Sequence, residues 1–240
     1  RLDPALEELC GEVFRTVGVE RWLAERGGED AAIVLEPGDP PVVRLGSELR
    51  SHALPAQSFL LGRAAARLRA RSALATRLGT RALGDLVTAV VQQFRPEFQG
   101  TGSPPQSLVR EVRRILPRSL RKALEESAVR VARAGHQDVA AWQAAMSASA
   151  DRVGLLLAGD VATALRRVLR ESAPLDGRSS APDAVASRPE LGALLVFALS
   201  EDHLVLRERL GLAGGPGARS RGALPATGAF PGRARGGGGS

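Results

Sequence analysis

The sequence predicts a mainly α-helical protein with one small β-hairpin or two-stranded sheet, and three observations support this class. The chain has 240 residues, 44% of them hydrophobic, so it is long enough to bury a core. From residue 47 onward, apolar residues recur almost throughout at the spacing of amphipathic helices. Only residues 31–35 and 42–45 form short aliphatic runs separated by a turn of proline, glycine and aspartate.

The first 45 residues contain the predicted sheet. Asp3 and Pro4 are a typical helix start, with an N-cap acceptor followed by proline, and the apolar spacing predicts a helix of about 14 residues. A second short helical segment is expected around Trp22 and Leu23. Residues 31–35 and 42–45 are the two predicted strands, and the sequence between them favours a turn.

The rest of the chain is predicted to be helical, with three irregular segments. The predicted helices cover residues 55–71, 80–94, 106–116, 117–134, 138–158, 161–171, 189–199 and 200–210. Residues 97–105 are expected to form a loop and 173–187 a polar linker. Residues 1–213 are predicted to form a single domain, and the Gly/Arg/Pro-rich residues 214–240 a disordered tail. The final GGGGS matches a synthetic linker, although a GC-rich gene could also encode it.

Charge and composition exclude several classes of protein. The net charge is +7, but residues 214–240 contain four arginines and no acid, so residues 1–213 carry 29 basic and 26 acidic groups. Lys122 is the only lysine beside 32 arginines, which is typical of a GC-rich bacterial gene. One cysteine and three widely separated histidines exclude a disulfide scaffold and a zinc finger. No apolar run reaches the length of a membrane span.

Two segments resemble a known enzyme family. Residues 150–156 read Ala-Asp-Arg-Val-Gly-Leu-Leu, and residues 41–49 read Pro-Val-Val-Arg-Leu-Gly-Ser-Glu-Leu. The first is similar to the ADRxGLL segment, and the second to the strand and helix start before the active helix, of the M48-type zinc metallopeptidases. The resemblance covers residues 30–170 and implies a helical, zincin-like core.

The resemblance also implies where the catalytic groups of the family would lie. Arg63 and Arg67 stand at the positions of the two histidines of the HExxH motif, Ala64 at the position of the general base, and Ser147 at the position of the third zinc ligand. A guanidinium keeps its proton and offers no lone pair to a metal. We therefore expect no zinc, no other cofactor and no peptidase activity.

Other candidate catalytic residues have simpler interpretations. Cys10 lies on the apolar stripe of the first helix, which favours a buried, inert thiol over a nucleophile. His136 and Asp138 could form an acid-base pair, but a helix end followed by an N-cap is the simpler interpretation. His203 is expected to be a solvated residue in the first turn of its helix.

Two hypotheses remain for the arginines at the ligand positions. Arg63, Arg67 and Arg152 could form a pocket for an anion or a peptide terminus, through charge-assisted hydrogen bonds. Alternatively, Arg63 and Arg67 pair with internal acids such as Asp151 or face water. Asp151 is predicted to have a structural role, and its replacement by alanine to lower stability by about 1 to 3 kcal/mol.

The leading functional prediction is a non-catalytic protein-interaction or scaffold domain with a protein partner, derived from a metallopeptidase fold. Domains of this appearance resemble parts of large bacterial proteins with helical repeats. Few cysteines and no export signal favour the bacterial cytoplasm. The chain begins at Arg1 and is expected to be a fragment of a longer protein.

One alternative to the protein-interaction role is binding of nucleic acid or another acidic surface through the arginine-rich tail, although the chain has only six Phe, two Trp and no Tyr for base stacking. A second alternative is an enzyme with relocated chemistry.

Overall fold

The computed structural model, which describes residues 3–27, 32–171 and 181–213, consists of helices and one small sheet. The helices are α1 (Pro4–Val17), α2 (Ser47–Arg50), α3 (Leu54–Arg69), α4 (Ala73–Arg77), α5 (Thr80–Val91), α6 (Gln106–Ile115), α7 (Arg118–Ala134), α8 (Val139–Ala158), α9 (Val161–Glu171), α10 (Ala181–Ser187), α11 (Pro189–Ala198) and α12 (Glu201–Arg209). The strands are β1 (Leu23–Arg26), β2 (Ile33–Glu36) and β3 (Val42–Leu45). The prediction of a mainly helical chain with a small sheet is confirmed, whereas the zincin-like core stays a prediction. None of the described helices combines the length and the apolar character that a membrane crossing requires.

Several helix starts follow from their caps. The Asp3 carboxylate accepts a hydrogen bond from the Ala5 backbone N–H at 3.1 Å, and Pro4 occupies the first helical position of α1. The Asp138 carboxylate accepts from the Ala141 N–H at 2.9 Å and caps α8. The observed helices agree with the predicted ones to within a few residues at each end.

The sheet has three strands in the order β1-β3-β2, one more than predicted. Strands β2 and β3 pair antiparallel, as expected of the predicted hairpin, whereas β1 pairs parallel to β3. The short helix expected around Trp22 and Leu23 is wrong. Residues 23–26 read Leu-Ala-Glu-Arg, which favours a helix locally, but backbone hydrogen bonds to β3, such as Gly27 N–H to the Leu45 carbonyl at 2.8 Å, make them a strand. Tertiary pairing outweighs local propensity here.

Two short helices, α4 and α10, were not expected from the sequence, whereas α2 lies where the resemblance implied a helix start. Helix α4 is only five residues long, too short for a periodic pattern. Helix α10 occupies residues 181–187, so the prediction of a polar linker over 173–187 is wrong for its second half. The first half of that linker, residues 173–180, and the predicted tail, residues 214–240, lie outside the described residues.

Helix α3 takes part in both of the larger apolar clusters. One cluster packs α1 and the sheet against α3, with Phe14, Val43 and Leu61 fully buried. The other packs α8, α9 and α11 around Phe59 of α3 and Leu155 of α8. Because α3 is buried on several sides, the polar side chains that it carries must find partners within the fold.

Candidate functional site

Helices α3 and α8 cross at two glycines. A Cβ atom added to Gly62 would lie 3.0 Å from the Gly154 Cα, and one added to Gly154 would lie 2.8 Å from the Phe59 carbonyl oxygen. The second distance is shorter than real Cβ contacts and the first is tighter than most of them, so glycine at these positions allows the backbones to approach this closely. The crossing brings Arg63 of α3 next to Asp151 of α8.

Arg63 is held by two carboxylates. Its Nε lies 2.7 Å from Asp151 Oδ1, and its Nη1 donates to Glu171 Oε1 and Oε2 at 2.5 and 2.6 Å. The Arg63 and Asp151 side chains are each 8% exposed, whereas Glu171 is 50% exposed. The Nε N–H is not aligned with the Asp151 oxygen, so this short contact is an ion pair without a well-formed hydrogen bond. The predicted pairing of Arg63 with Asp151 is thus present.

Glu171 is the member of this cluster that sequence analysis missed. It is the last residue of α9 and lies 108 positions from Arg63 in the chain, so no local spacing connects the two. One signal was available. An acidic side chain at the C-terminal end of a helix is electrostatically unfavourable, so Glu171 was a candidate for pairing with a cation.

The environment of Asp151 disfavours its charged form. Burial raises the pKa of the carboxyl group, Arg63 opposes that shift, and Glu171 adds to it. Glu171 is half-exposed and therefore better solvated than Asp151. The Arg63 guanidinium is buried beside both carboxylates, so the cluster contains a buried cation that needs compensation.

Arg67 lies one helical turn beyond Arg63 and is half-buried. Its Nε is shielded from solvent and has no hydrogen-bond partner, and none of the ion pairs within the described segments includes Arg67. Burial lowers the pKa of its guanidinium, as does the neighbouring Arg63 charge, while Glu171 and Asp151 act in the opposite direction. Arg67 is therefore a partly desolvated cation with hydrogen-bonding capacity to spare.

Arg63 and Arg67 both line a cleft of about 300 Å³ between the sheet and α3. Its walls come from strand β2 and the residue before it, from α3, and from the end of α9. The lining residues are Ala32, Ile33, Leu35, Leu60, Arg63, Ala64, Arg67 and Glu171. Among the described residues, the cleft thus has apolar walls, the Arg63 guanidinium in contact with two carboxylates, and the Arg67 guanidinium without an ion pair.

Arg152 is not among the residues that line this cleft, which corrects the hypothesis of a pocket built from three arginines. It is exposed, and its guanidinium lies 5.5 Å from the centre of the Phe197 ring in α11. The reason is helical geometry, because successive residues point about 100° apart around the axis. Because Asp151 faces α3, the next side chain, Arg152, is directed away from α3.

The residues at the implied zinc positions do not fit a zinc ion. Two of the three expected ligand positions hold guanidinium groups, Ser147 stands at the third, and Ala64 has no group that could accept a proton. Within residues 3–27, 32–171 and 181–213, no three His, Cys, Asp or Glu side chains lie together in a way that could hold a metal ion. The implied ligand site therefore contains an arginine-carboxylate cluster.

The other candidate residues lie apart from the cleft. Cys10 is fully buried, as predicted, and burial, with a contribution from Glu7, raises the pKa of its thiol to about 12. The His136 Nδ1 lies 3.0 Å from the Gly100 carbonyl oxygen. The expectation that His203 is solvated is wrong. Its side chain packs against the Phe197 ring and is buried, because the Ser200 cap starts α12 with this residue directed toward α11.

Comparison with protein-family models, with curated proteins and with solved structures gave no match for this chain. The resemblance to the metallopeptidases accordingly stays a prediction.

Proposed function

We propose that the domain is a non-catalytic protein-interaction or scaffold module with a zincin-like core derived from a metallopeptidase. Its cleft between β2 and α3 would receive a carboxylate of a protein partner, either a chain terminus or an acidic side chain. The observation that carries this proposal is Arg67, a half-buried guanidinium in the cleft whose Nε has no partner in the described part of the chain.

The difference between the two arginines defines the binding position. Arg63 already contacts Asp151 and both oxygens of Glu171, so it has little capacity for another anion. Arg67 has that capacity, and a buried polar group without a hydrogen bond is unfavourable. A carboxylate can accept two parallel hydrogen bonds from one guanidinium, which would satisfy Arg67.

The charges near the cleft predict the character of the binding. Arg63 and Arg67 are balanced by Asp151 and Glu171, so these four groups together are neutral when all are ionised. An incoming anion would therefore be held by directed hydrogen bonds and apolar contacts, with little contribution from net charge. The volume of about 300 Å³ is at the lower limit for small-molecule pockets and suits one residue or chain terminus.

The residue types in the cleft also support a non-catalytic role. Ala64 has no proton acceptor, and guanidinium groups neither bind a metal nor act as a base near neutral pH. Among the described residues that line the cleft, Glu171 is the one carboxylate, and both of its oxygens are engaged by Arg63. A general base needs a free lone pair within reach of the substrate, which this arrangement does not offer.

Affinity selection from a degenerate hexapeptide pool tests the proposal. The immobilised domain is offered the same pool with free C-terminal carboxylates and with amidated C-termini, and the retained peptides are identified by mass spectrometry. We expect preferential retention of the free acids or of acidic peptides, loss of retention in Arg67→Ala, and intact peptides after incubation with added zinc.

Arg81→Ala provides a matched control, since Arg81 is an exposed arginine of α5 outside the cleft lining. It should retain the same peptides as the unmodified domain. Equal retention by Arg67→Ala would contradict the binding mode, and zinc-dependent cleavage of the pool would contradict the non-catalytic role.

A further inference from the structure

The corner between α6 and α7 concentrates much of the positive charge of the chain. Residues 110–122, here called the basic corner, contain six basic residues and one acid. Apart from this segment and residues 214–240, the remaining 200 residues contain 23 basic and 25 acidic groups. The excess charge of the chain is therefore concentrated in two segments, and the structure describes one of them.

The basic corner projects from the fold. Val112, with 3% exposure, is the only buried residue of the basic corner. Nearly all the other residues of the corner are exposed. Two large aliphatic side chains are among them, Ile115 with 64% exposure at the end of α6 and Leu120 with 51% exposure in the first turn of α7. Arg113 and Arg114 precede Ile115, and Arg121 and Lys122 follow Leu120, so apolar and cationic groups are presented together on this corner.

The conformation of the corner is fixed by one of its own arginines. Arg121 donates from Nη2 to the Arg113 carbonyl at 2.7 Å and from Nε to the Leu116 carbonyl at 3.3 Å, so it caps the C-terminal end of α6. Among the described residues, Arg113, Arg118 and Lys122 take part in no ion pair. Their charges are thus exposed on a structured support.

We propose that the basic corner binds peripherally to the surface of an anionic lipid bilayer. In this interaction Ile115 and Leu120 would enter the headgroup region, and the arginines and Lys122 would contact lipid phosphates. Aliphatic side chains combined with surrounding basic residues are typical of interfacial membrane binding, and each Lys or Arg near an anionic surface adds about fivefold to the partition coefficient. The proposal is independent of the cleft around Arg67.

Nucleic acid is the competing polyanion, and the residues favour the membrane. No Phe, Tyr or Trp occurs between residues 106 and 134, so the corner has no side chain on which a base could stack. Two exposed aliphatic groups would gain nothing on a phosphate backbone, whereas they lose contact with water in a bilayer interface.

Vesicle co-sedimentation tests the proposal. The full chain is mixed with vesicles of phosphatidylcholine alone or of phosphatidylcholine and phosphatidylglycerol in equal parts, and the bound fraction is measured over a range of salt concentrations. We expect binding only to the anionic vesicles, with a steep decrease as salt increases. Arg113→Glu/Arg118→Glu should weaken the partition coefficient at least about 25-fold. Ile115→Ser/Leu120→Ser should also weaken it, with all charges unchanged.

Two controls separate the corner from net charge. Arg130→Glu/Arg133→Glu reverses two exposed arginines farther along α7 and should bind almost normally, as should the chain without residues 214–240. The proposal is overturned if both pairs of reversals weaken binding equally, if deletion of residues 214–240 abolishes binding, or if neutral vesicles bind as well as anionic ones. It is also overturned if the serine variant binds normally, or if an oligonucleotide binds the corner more tightly than the vesicles do.

Discussion

Replacement of Asp151 by alanine removes the buried carboxylate that compensates Arg63. Asp151 and Arg63 are both 8% exposed, and the Nε to Oδ1 distance is 2.7 Å, so water cannot replace the lost partner without opening the contact between α3 and α8. We expect Asp151→Ala to fold with a clearly lower free energy of unfolding.

The size of the effect follows from what remains around Arg63. Loss of one partner of a buried ion pair typically lowers stability by about 3 to 5 kcal/mol, because the other charge stays buried without compensation. Glu171 still contacts Arg63 through Nη1, at 2.5 and 2.6 Å, so the guanidinium keeps one counter-charge. The expected loss is therefore about 3 kcal/mol, at the lower end of that range.

Urea titration followed by circular dichroism measures the change, and a second substitution on the same helix provides the control. Asp138→Ala removes the N-cap of α8 and should lower stability by only about 1 kcal/mol. Arg63→Met/Asp151→Leu removes both charges and should restore at least about 2 kcal/mol relative to Asp151→Ala. If Asp151→Ala is no more harmful than Asp138→Ala, or if the double variant is less stable than Asp151→Ala, the buried-pair argument is wrong.

Four further substitutions or measurements test other parts of the fold. Gly154→Ala should lower the free energy of unfolding by about 1 to 3 kcal/mol, because the added carbon would lie 2.8 Å from the Phe59 carbonyl oxygen. Gly11→Ala, where no atom lies within 4 Å of the added carbon, should raise it by about 0.5 to 1 kcal/mol in the same titration. A thiol reagent should modify Cys10 only after denaturant unfolds the chain, since burial raises its thiol pKa to about 12; rapid labelling of the folded protein would contradict this. The unmodified protein should lose thermal stability as the pH falls from about 6.5 to 5, because burial lowers the pKa of His203. His203→Phe should make this loss smaller, as measured by melting curves across that range.

Local signals predicted much of the helical structure and part of the sheet. The Asp3 and Asp138 caps, with regular apolar spacing, were sufficient to locate α1 and α8. Strand β1 was missed because its formation depends on pairing with β3, which lies 19 residues away in the register from Leu23 to Val42. A four-residue segment of helix-favouring, exposed side chains carries no local signal of that pairing.

The sequence indicated the part of the candidate site that lies in recognisable segments of α3 and α8. It did not indicate the contacts that depend on how α9 and α11 pack against them. The pairing of Arg63 with Asp151 was one of two alternatives that the sequence left open. The participation of Glu171 and the exclusion of Arg152 both depend on how α8 and α9 are oriented around α3. Spacing along one helix gives the relative direction of two side chains, but the direction of the helix face itself is set by packing.

His203 shows the same limit, since two acidic neighbours in sequence suggested a solvated position that packing against Phe197 removes. Burial, with the nearby Arg207 charge, lowers the pKa of His203 below its usual 6.5. Between the lowered pKa and pH 6.5, the imidazole is therefore protonated more in the unfolded chain than in the folded chain. Its contribution to stability is therefore present above pH 6.5 and is lost as the pH falls toward the lowered pKa, with a slope of at most about 1.4 kcal/mol per pH unit.

The pKa of His52 is also lowered, by burial and by the charges of Arg167 and Arg170, against the opposing effect of Glu48. His52 therefore also contributes to the loss of stability as the pH falls. The two histidines must therefore be separated by substitution. His203→Phe should remove only part of the slope, and in His203→Phe/His52→Gln stability should no longer decrease from pH 6.5 to about pH 5, because the raised pKa of Asp151 acts in the opposite direction. If His203→Phe has the slope of the unmodified protein, the imidazole is solvated in the folded state, and the packing of α12 against α11 described above is incorrect.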